Sequence, residues 1–364
     1  MLLQGGTILN EQFQWEQKDV LIEDGIIKAL LEPSEKTEEG IDVTGKLILP
    51  GLVDTHIHGA NGTDTMSGNF EPISRFLVKH GVTSFLPTTM TMPLEEIQKV
   101  MDSDKAVSGA QILGFHLEGP YVNVAYKGAQ NDKYIKHPDL NDFKDYSQVK
   151  LLTVAPELEG SMEYIKEASK QFAIALGHSE CDYQTACSAL EAGAKSVTHL
   201  CNAMRPLHHR EPGLLGAGLE QDGFYTQVIA DGIHIHPGML RLIYQVKGSD
   251  KMVLISDAMS AAGLPDGEYE LGGQKVFVNK GEARIEAGNL AGSTTNLWDC
   301  VCLLEQIGIP FEEAVKMASL TPATMIGATK KGTIAVGKDA DLIVTNPSRT
   351  IDEVMVGGQW ADIS

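Results

Sequence analysis

The chain has 364 residues, 43% hydrophobic and 21% charged, enough apolar material for a large packed core and too much for a disordered polymer. Forty-nine acidic residues against 29 basic ones leave a formal charge of −20, which argues against nucleic acid or an anionic membrane surface as a bulk partner. An anionic substrate would have to find a local cluster of donors. The first 50 residues read as short strands between turn signals: LLQGGTIL, the KDVLIEDGIIKAL hairpin centred on Asp24 and Gly25, and DVTGKLILP with a turn at Thr44 and Gly45. The same texture returns in GTIAVGKDADLIVTN and EVMVGGQW. Residues 1–50 and 331–364 are therefore expected to build one small β-sandwich domain from both ends of the sequence. No apolar run of about 18 residues occurs, and MLLQGGTILN lacks a basic stretch followed by an apolar one, so neither a membrane span nor a signal peptide is expected and the cytoplasm is the default location.

From residue 51 the pattern changes to short apolar runs alternating with helical stretches, the mark of parallel βα units. Eight runs end near VDTHIHG, VTSFLPTT, ILGFHLEGP, KLLTVAPE, FAIALGHS, SVTHL, TQVIADG and MVLISD. Eight is the number that closes a (β/α)8 TIM-like barrel, and residues 51–330 suit its size. An open doubly wound sheet is the alternative, but no glycine-rich phosphate loop follows the first strand. The stretch GEYELGGQKVFVNKGEARI reads as a β-hairpin inserted after the eighth strand. The cysteines, Cys181, Cys187, Cys201, Cys300 and Cys302, form no C-x-x-C pair and are odd in number, which fits reduced, buried thiols.

Polar residues able to do chemistry gather at the C-terminal ends of the apolar runs, where such barrels place their active sites. In VDTHIHG, His56 and His58 are two apart, so a strand would point both to one face. Glu118, His178, His199 and Asp257 end the third, fifth, sixth and eighth runs. Imidazole and carboxylate are ligands that suit zinc or iron with room left for a water. Singly each is weak evidence, since a lone His178 after FAIALG would serve as a core or capping residue in most proteins. Barrel closure gathers all of them into one ring.

The stretches PGLVDTHIHG, GFHLEGPYVN with the following KGAQ, ALGHS, THLCNAM, REPGLLGAGL, IADGIH, LISDAM and LAGSTTNLWD, then TPATMIG and GTIAVGKDADLIV, resemble the amidohydrolase superfamily of metal-dependent barrels. Within it they resemble the branch that deacetylates amino-sugar phosphates, over nearly the whole chain. The resemblance implies one divalent ion, zinc or iron, held by Glu118, His178 and His199. It allows a second at His56 and His58, the alternative being two structural histidines beside a single ion. It implies hydrolysis of N-acetylglucosamine 6-phosphate to glucosamine 6-phosphate and acetate, with the galacto epimer as the nearest rival substrate. Asp257 would then move protons between water and the leaving amine, its other reading being a helix cap before AMSAAG. His234, in IADGIH, would meet the substrate and help stabilise the developing oxyanion.

The phosphate would be held by Asn202, the backbone amide of Ala203, and Arg210, whose fork suits phosphate oxygens. The resemblance implies a homodimer in which Arg210 completes the neighbouring subunit's site. Gln130 stands where relatives carry histidine, so its contact with sugar hydroxyls is left open. His116 reads either as support for the ligands or as a core residue. A cyclic-amide hydrolase would carry a modified lysine at the end of strand four, but KLLTVAPE has Lys150 at its beginning, and the bridging candidate is Glu118. A metal-free scaffold is disfavoured because every ligand position is filled.

Overall fold

The computed structural model describes residues 1–33, 40–143 and 145–364. At its centre the strands Leu52–Ile57, Val82–Thr89, Phe115–Glu118, Val149–Val154, Ala173–Leu176, Ser196–Val197, Tyr225–Ile229 and Met252–Ile255 lie parallel, each paired with the next in chain order. The ring closes between its last and first members. Asp257 N–H donates to His56 O at 2.9 Å, and His58 N–H to Ala258 O at 2.8 Å. Buried Asp54 reinforces the seam, because its Oδ1 accepts from the backbone N–H of His56 on one strand and of Ser256 on the other.

The strands are buried on both faces, and their alternation sorts the side chains. In Val149–Val154, Leu151 packs with Ala175, Val253 and Ile255 in one cluster, while Leu152 and Val154 join the large cluster that includes helix residues such as Ile165 and Leu240. Each fully buried Leu, Ile or Val among them contributes about 1.5–3 kcal/mol. Polar residues replace the apolar ones toward the C-terminal end: Thr153 bonds Thr198 at 2.8 Å and His116 Nε2 at 2.9 Å. His116 is fully buried and meets the His56 ring edge-on at 4.5 Å, so it both fills the barrel and supports a ligand candidate.

α-Helices fill most crossovers, but among the described residues none occupies 119–148 between the third and fourth strands. The described residues of that segment carry only the short 3-10 turns Val124–Tyr126 and Asp132–Tyr134, and those between Ala125 and Gln130 line the barrel mouth.

Both ends of the sequence enter the second layer. Strands Leu2–Gln4, Asp19–Glu23, Ile26–Leu31 and Ile41–Asp42 form one sheet; Thr7–Leu9, Trp15–Gln17, Leu47–Pro50, Leu342–Thr345, Ile351–Val356 and Gln359–Trp360 form the other. Leu3, Val20, Ile48, Leu342 and Met355 are buried together between them. The Asp24–Gly25 hairpin forms as expected, with φ of 51° and 77° at its two turn residues, the conformation a tight two-residue turn needs. LLQGGTIL and DVTGKLILP differ from simple turn-linked pairs: in each, the turn carries the chain from one sheet to the other.

The stretch after the eighth barrel strand is a three-stranded meander, Gly267–Leu271, Gln274–Asn279 and Glu282–Ile285, rather than the expected hairpin. Gly272–Gly273 makes the first tight turn. Lys280–Gly281, with φ of 52° and 77°, makes a second and so adds a third strand.

Candidate metal centre

His56, His58 and Asp257 bring one donor atom each to within 4.8 Å of one another, and Glu118, His178 and His199 do the same. All are buried. The Glu118 carboxylate lies between the groups: Oε1 is 2.9 Å from His199 Nε2, 3.1 Å from His178 Nε2 and 3.4 Å from His56 Nε2, while Oε2 is 3.1 Å from His58 Nε2. Asp257 Oδ1 is 3.3 Å from Nε2 of both His56 and His58. The carboxylate read as a proton carrier thus also stands within ligand range of the H-x-H pair.

The hydrogen bonding behind the rings decides what this cluster wants. His58 Nδ1 faces Thr88 O at 3.2 Å and His178 Nδ1 faces Tyr126 O at 2.9 Å. A carbonyl only accepts, so each Nδ1 carries hydrogen, and a neutral ring then aims its Nε2 lone pair inward. Nε2 atoms stand 3.2 Å apart in His56 and His58, and 3.1 Å apart in His178 and His199. Inward lone pairs on His58 and His178, beside two buried carboxylates, call for positive charge. Without a cation the ring takes up a proton instead: burial opposes charge on His58, yet Asp257 and Glu118 outweigh it and hold its pKa up at about 10. The donor set therefore fits a divalent cation.

Backbone conformation aims these groups. His178, His199 and Asp257 all have positive φ, 49°, 29° and 48°, just past the ends of their strands. Few side chains adopt this region, and it turns each residue out of the strand direction at the barrel mouth.

A cavity of about 520 Å³ opens above the donors. Asn202, Ala203, His234 and Gln130 line it with the ligand candidates other than His56. His234 is fixed by Asp231, whose Oδ2 bonds Nδ1 at 2.7 Å and whose Oδ1 accepts the His234 backbone N–H at 2.8 Å. Burial works against charge on this imidazole, but the Asp231 carboxylate prevails and raises its pKa. Gln130 is buried and bonds Glu118 Oε2 at 2.6 Å. Arg210 is brought to none of these: it is exposed, its guanidinium bonded to His209 Nε2 at 2.8 Å, and it lies outside the cavity lining. Sequence reasoning missed the contribution of the meander and the loop after it, which bring Arg284, Asn289 and Leu290 into the cavity wall. Its position directly after the eighth strand, on the face where barrel loops build sites, was the available signal.

The sequence profile of the amidohydrolase family matches residues 47–361. The chain is a member of that family. An N-acetylglucosamine-6-phosphate deacetylase of Bacillus subtilis (strain 168) is 36% identical, covering 100% of this chain and 98% of its own. An N-acetylgalactosamine-6-phosphate deacetylase of Escherichia coli O157:H7 is 34% identical, with 99% of each chain covered. The crystal structure of an N-acetylglucosamine-6-phosphate deacetylase from Thermotoga maritima superposes with a TM-score of 0.90 over 99% of each chain at 34% identity. Amidohydrolases are typically metal-dependent, in keeping with the donor groups of this member. Among the described residues no helix is long and apolar enough to cross a membrane.

Proposed function

We propose that this amidohydrolase is a cytoplasmic enzyme that hydrolyses the acetamide of N-acetylglucosamine 6-phosphate, giving glucosamine 6-phosphate and acetate. The observation that carries the reading is the convergence of His58, Glu118, His178, His199 and Asp257 on the wall of a sugar-sized cavity, with His56 buried behind them, in a chain collinear with deacetylases of this class.

An amide is a weak electrophile with a poor leaving group, so three tasks must be met. A zinc or iron ion held by Glu118, His178 and His199, with a second at His56 and His58, would supply Lewis acidity and activate water near neutral pH. Asp257 accepts a proton as water adds to the carbonyl carbon and returns it to the nitrogen as the C–N bond breaks. Its carboxylate suits the first step, because the surrounding histidines overcome the burial penalty and keep its pKa low. His234, with Nδ1 committed to Asp231, has Nε2 to offer to the oxyanion or a sugar hydroxyl.

Asn202 and the backbone amide of Ala203 hold the phosphate. Arg210 serves a neighbouring subunit in a homodimer, which accounts for its exposed place outside its own cavity. The N-acetylgalactosamine 6-phosphate reading stays in view because a deacetylase of that name is 34% identical over nearly the full length. Acetate release measured on both phosphosugars and on free N-acetylglucosamine tests all of this. The gluco phosphosugar is expected to be hydrolysed with the highest kcat/KM; no acetate from any of the three with the metal-loaded protein would end the proposal.

A further inference from the structure

Gln130 is a buried side chain 2% exposed, and both ends of its amide are engaged. Its Oε1 accepts the backbone N–H of Thr91 at 2.7 Å. A backbone N–H can only donate, so this contact fixes which way the amide faces. Its Nε2 is thereby directed at Glu118 Oε2, to which it donates at 2.6 Å. Thr91 follows the second barrel strand and Glu118 ends the third, so Gln130 ties the carboxylate to the frame of the barrel.

A free carboxylate can rotate to offer both oxygens to one ion. Here Oε2 is pinned on the His58 side, leaving Oε1 among His178, His199 and His56. We propose that Gln130 is a positioning residue for the metal centre, holding Glu118 with Oε2 turned to His58 and Oε1 to His178 and His199, so that the carboxylate reaches both donor groups and sustains the binding of two ions. A neutral amide suits the task. A carboxylate at this position would face Glu118 inside the protein, and one of the pair would have to be protonated.

The inference rests on the donor set holding divalent ions, and not on which sugar is the substrate. The test is chelator-competition titration of the purified protein with zinc, with the visible spectrum of the cobalt-loaded form as a second readout. Wild type and Gln130→Met, a chain of similar length that donates no hydrogen bond, are compared. Gln130→Met is expected to weaken the binding of at least one ion by about 10–100-fold, as loss of a partner behind a ligand does, and to change the cobalt spectrum. In a Glu118→Gln background the same substitution should add little, because the clamp acts through that carboxylate. A Gln130→Met protein with both affinities and the spectrum unchanged overturns the proposal. So does one whose metal-free form melts well below wild type, since Gln130 would then support the fold rather than the centre. Wild type that binds no ion would instead overturn the metal-centre reading itself, so the two failures are told apart.

Discussion

Asp257→Asn is the sharpest test of the chemistry. The residue is 7% exposed, its backbone N–H bonds His56 O at 2.9 Å, and its own carbonyl accepts from Ser293 N–H at 2.7 Å. Asparagine preserves these bonds, matches the shape and tolerates the φ of 48°, so the fold is expected to persist. What disappears is the capacity to take a proton from water and deliver it to the amine. Such a group is worth about 10²–10⁴ in rate, or about 2.7–5.5 kcal/mol of transition-state stabilisation. The loss should fall on kcat, with KM changing little, because the interaction is made chiefly in the transition state. Because Asp257 also lies 3.3 Å from both histidines of the H-x-H pair, ion content must be measured on the same sample that is assayed for acetate release. A variant with full metal content and kcat within about tenfold of wild type would refute the assignment.

Protein loaded with excess zinc or iron is expected to bind up to two ions per chain, and the double variant His56→Ala, His58→Ala fewer; elemental analysis that stays at one ion for wild type contradicts this. Arg210→Ala should cost about 2–4 kcal/mol in kcat/KM on the phosphosugar, on the scale of losing a charge-assisted pair, and change the weak activity on free N-acetylglucosamine little. Mixing that chain with an Asp257→Asn chain should restore some activity if Arg210 serves the neighbouring subunit, and no recovery after verified subunit exchange counts against it. The His234 pKa lies above 6.5 because Asp231 outweighs burial, so any stability it contributes is present below the unfolded value and is lost as pH rises through the folded one. Asp231→Asn removes the main partner that opposes burial and leaves only the weaker pull of Asp257, so NMR titration should find the His234 pKa lower than in wild type; no change would disprove the pairing's role. Lys331, 6% exposed, bonds Asp341 at 2.7 Å and Asp339 at 2.9 Å, so Lys331→Ala strands a buried carboxylate and should cost about 3–5 kcal/mol in urea unfolding.

The barrel was legible because its signal is local. A parallel strand buried on both faces is a short apolar run, and VTSFLPTT or MVLISD shows one without reference to anything distant. The ligand candidates were legible for a related reason: strand ends converge in a barrel whatever their order, so residue type at the end of a run suffices. Pairings between distant segments were not. Nothing in LLQGGTIL says that its halves join different sheets, since the partners lie near residues 20 and 47. Nor does local pattern reveal that Gln130 meets Glu118, or that Asp257 Oδ1 stands equally far from two imidazoles. Those contacts exist only after closure. Arg210 marks the opposite limit, because the group it serves is proposed to lie in another copy of the chain.

The order of strands in the second sheet layer has a consequence for synthesis on the ribosome. Leu47–Pro50 pairs with Leu342–Thr345, nearly the whole length of the barrel away in sequence. The residues emerging first must therefore wait, with Ile48 lacking its strand partner Val344 and the core it shares with Leu342 and Met355, while the intervening strands and helices are made. Translation at about 5–20 residues per second makes that interval tens of seconds, long for an exposed apolar strand edge. The barrel can close behind it, but the sandwich can be completed only once residues 342–360 have left the exit tunnel. Chaperone capture or aggregation of nascent chains should accordingly concentrate on the first 50 residues and subside when the last strands emerge.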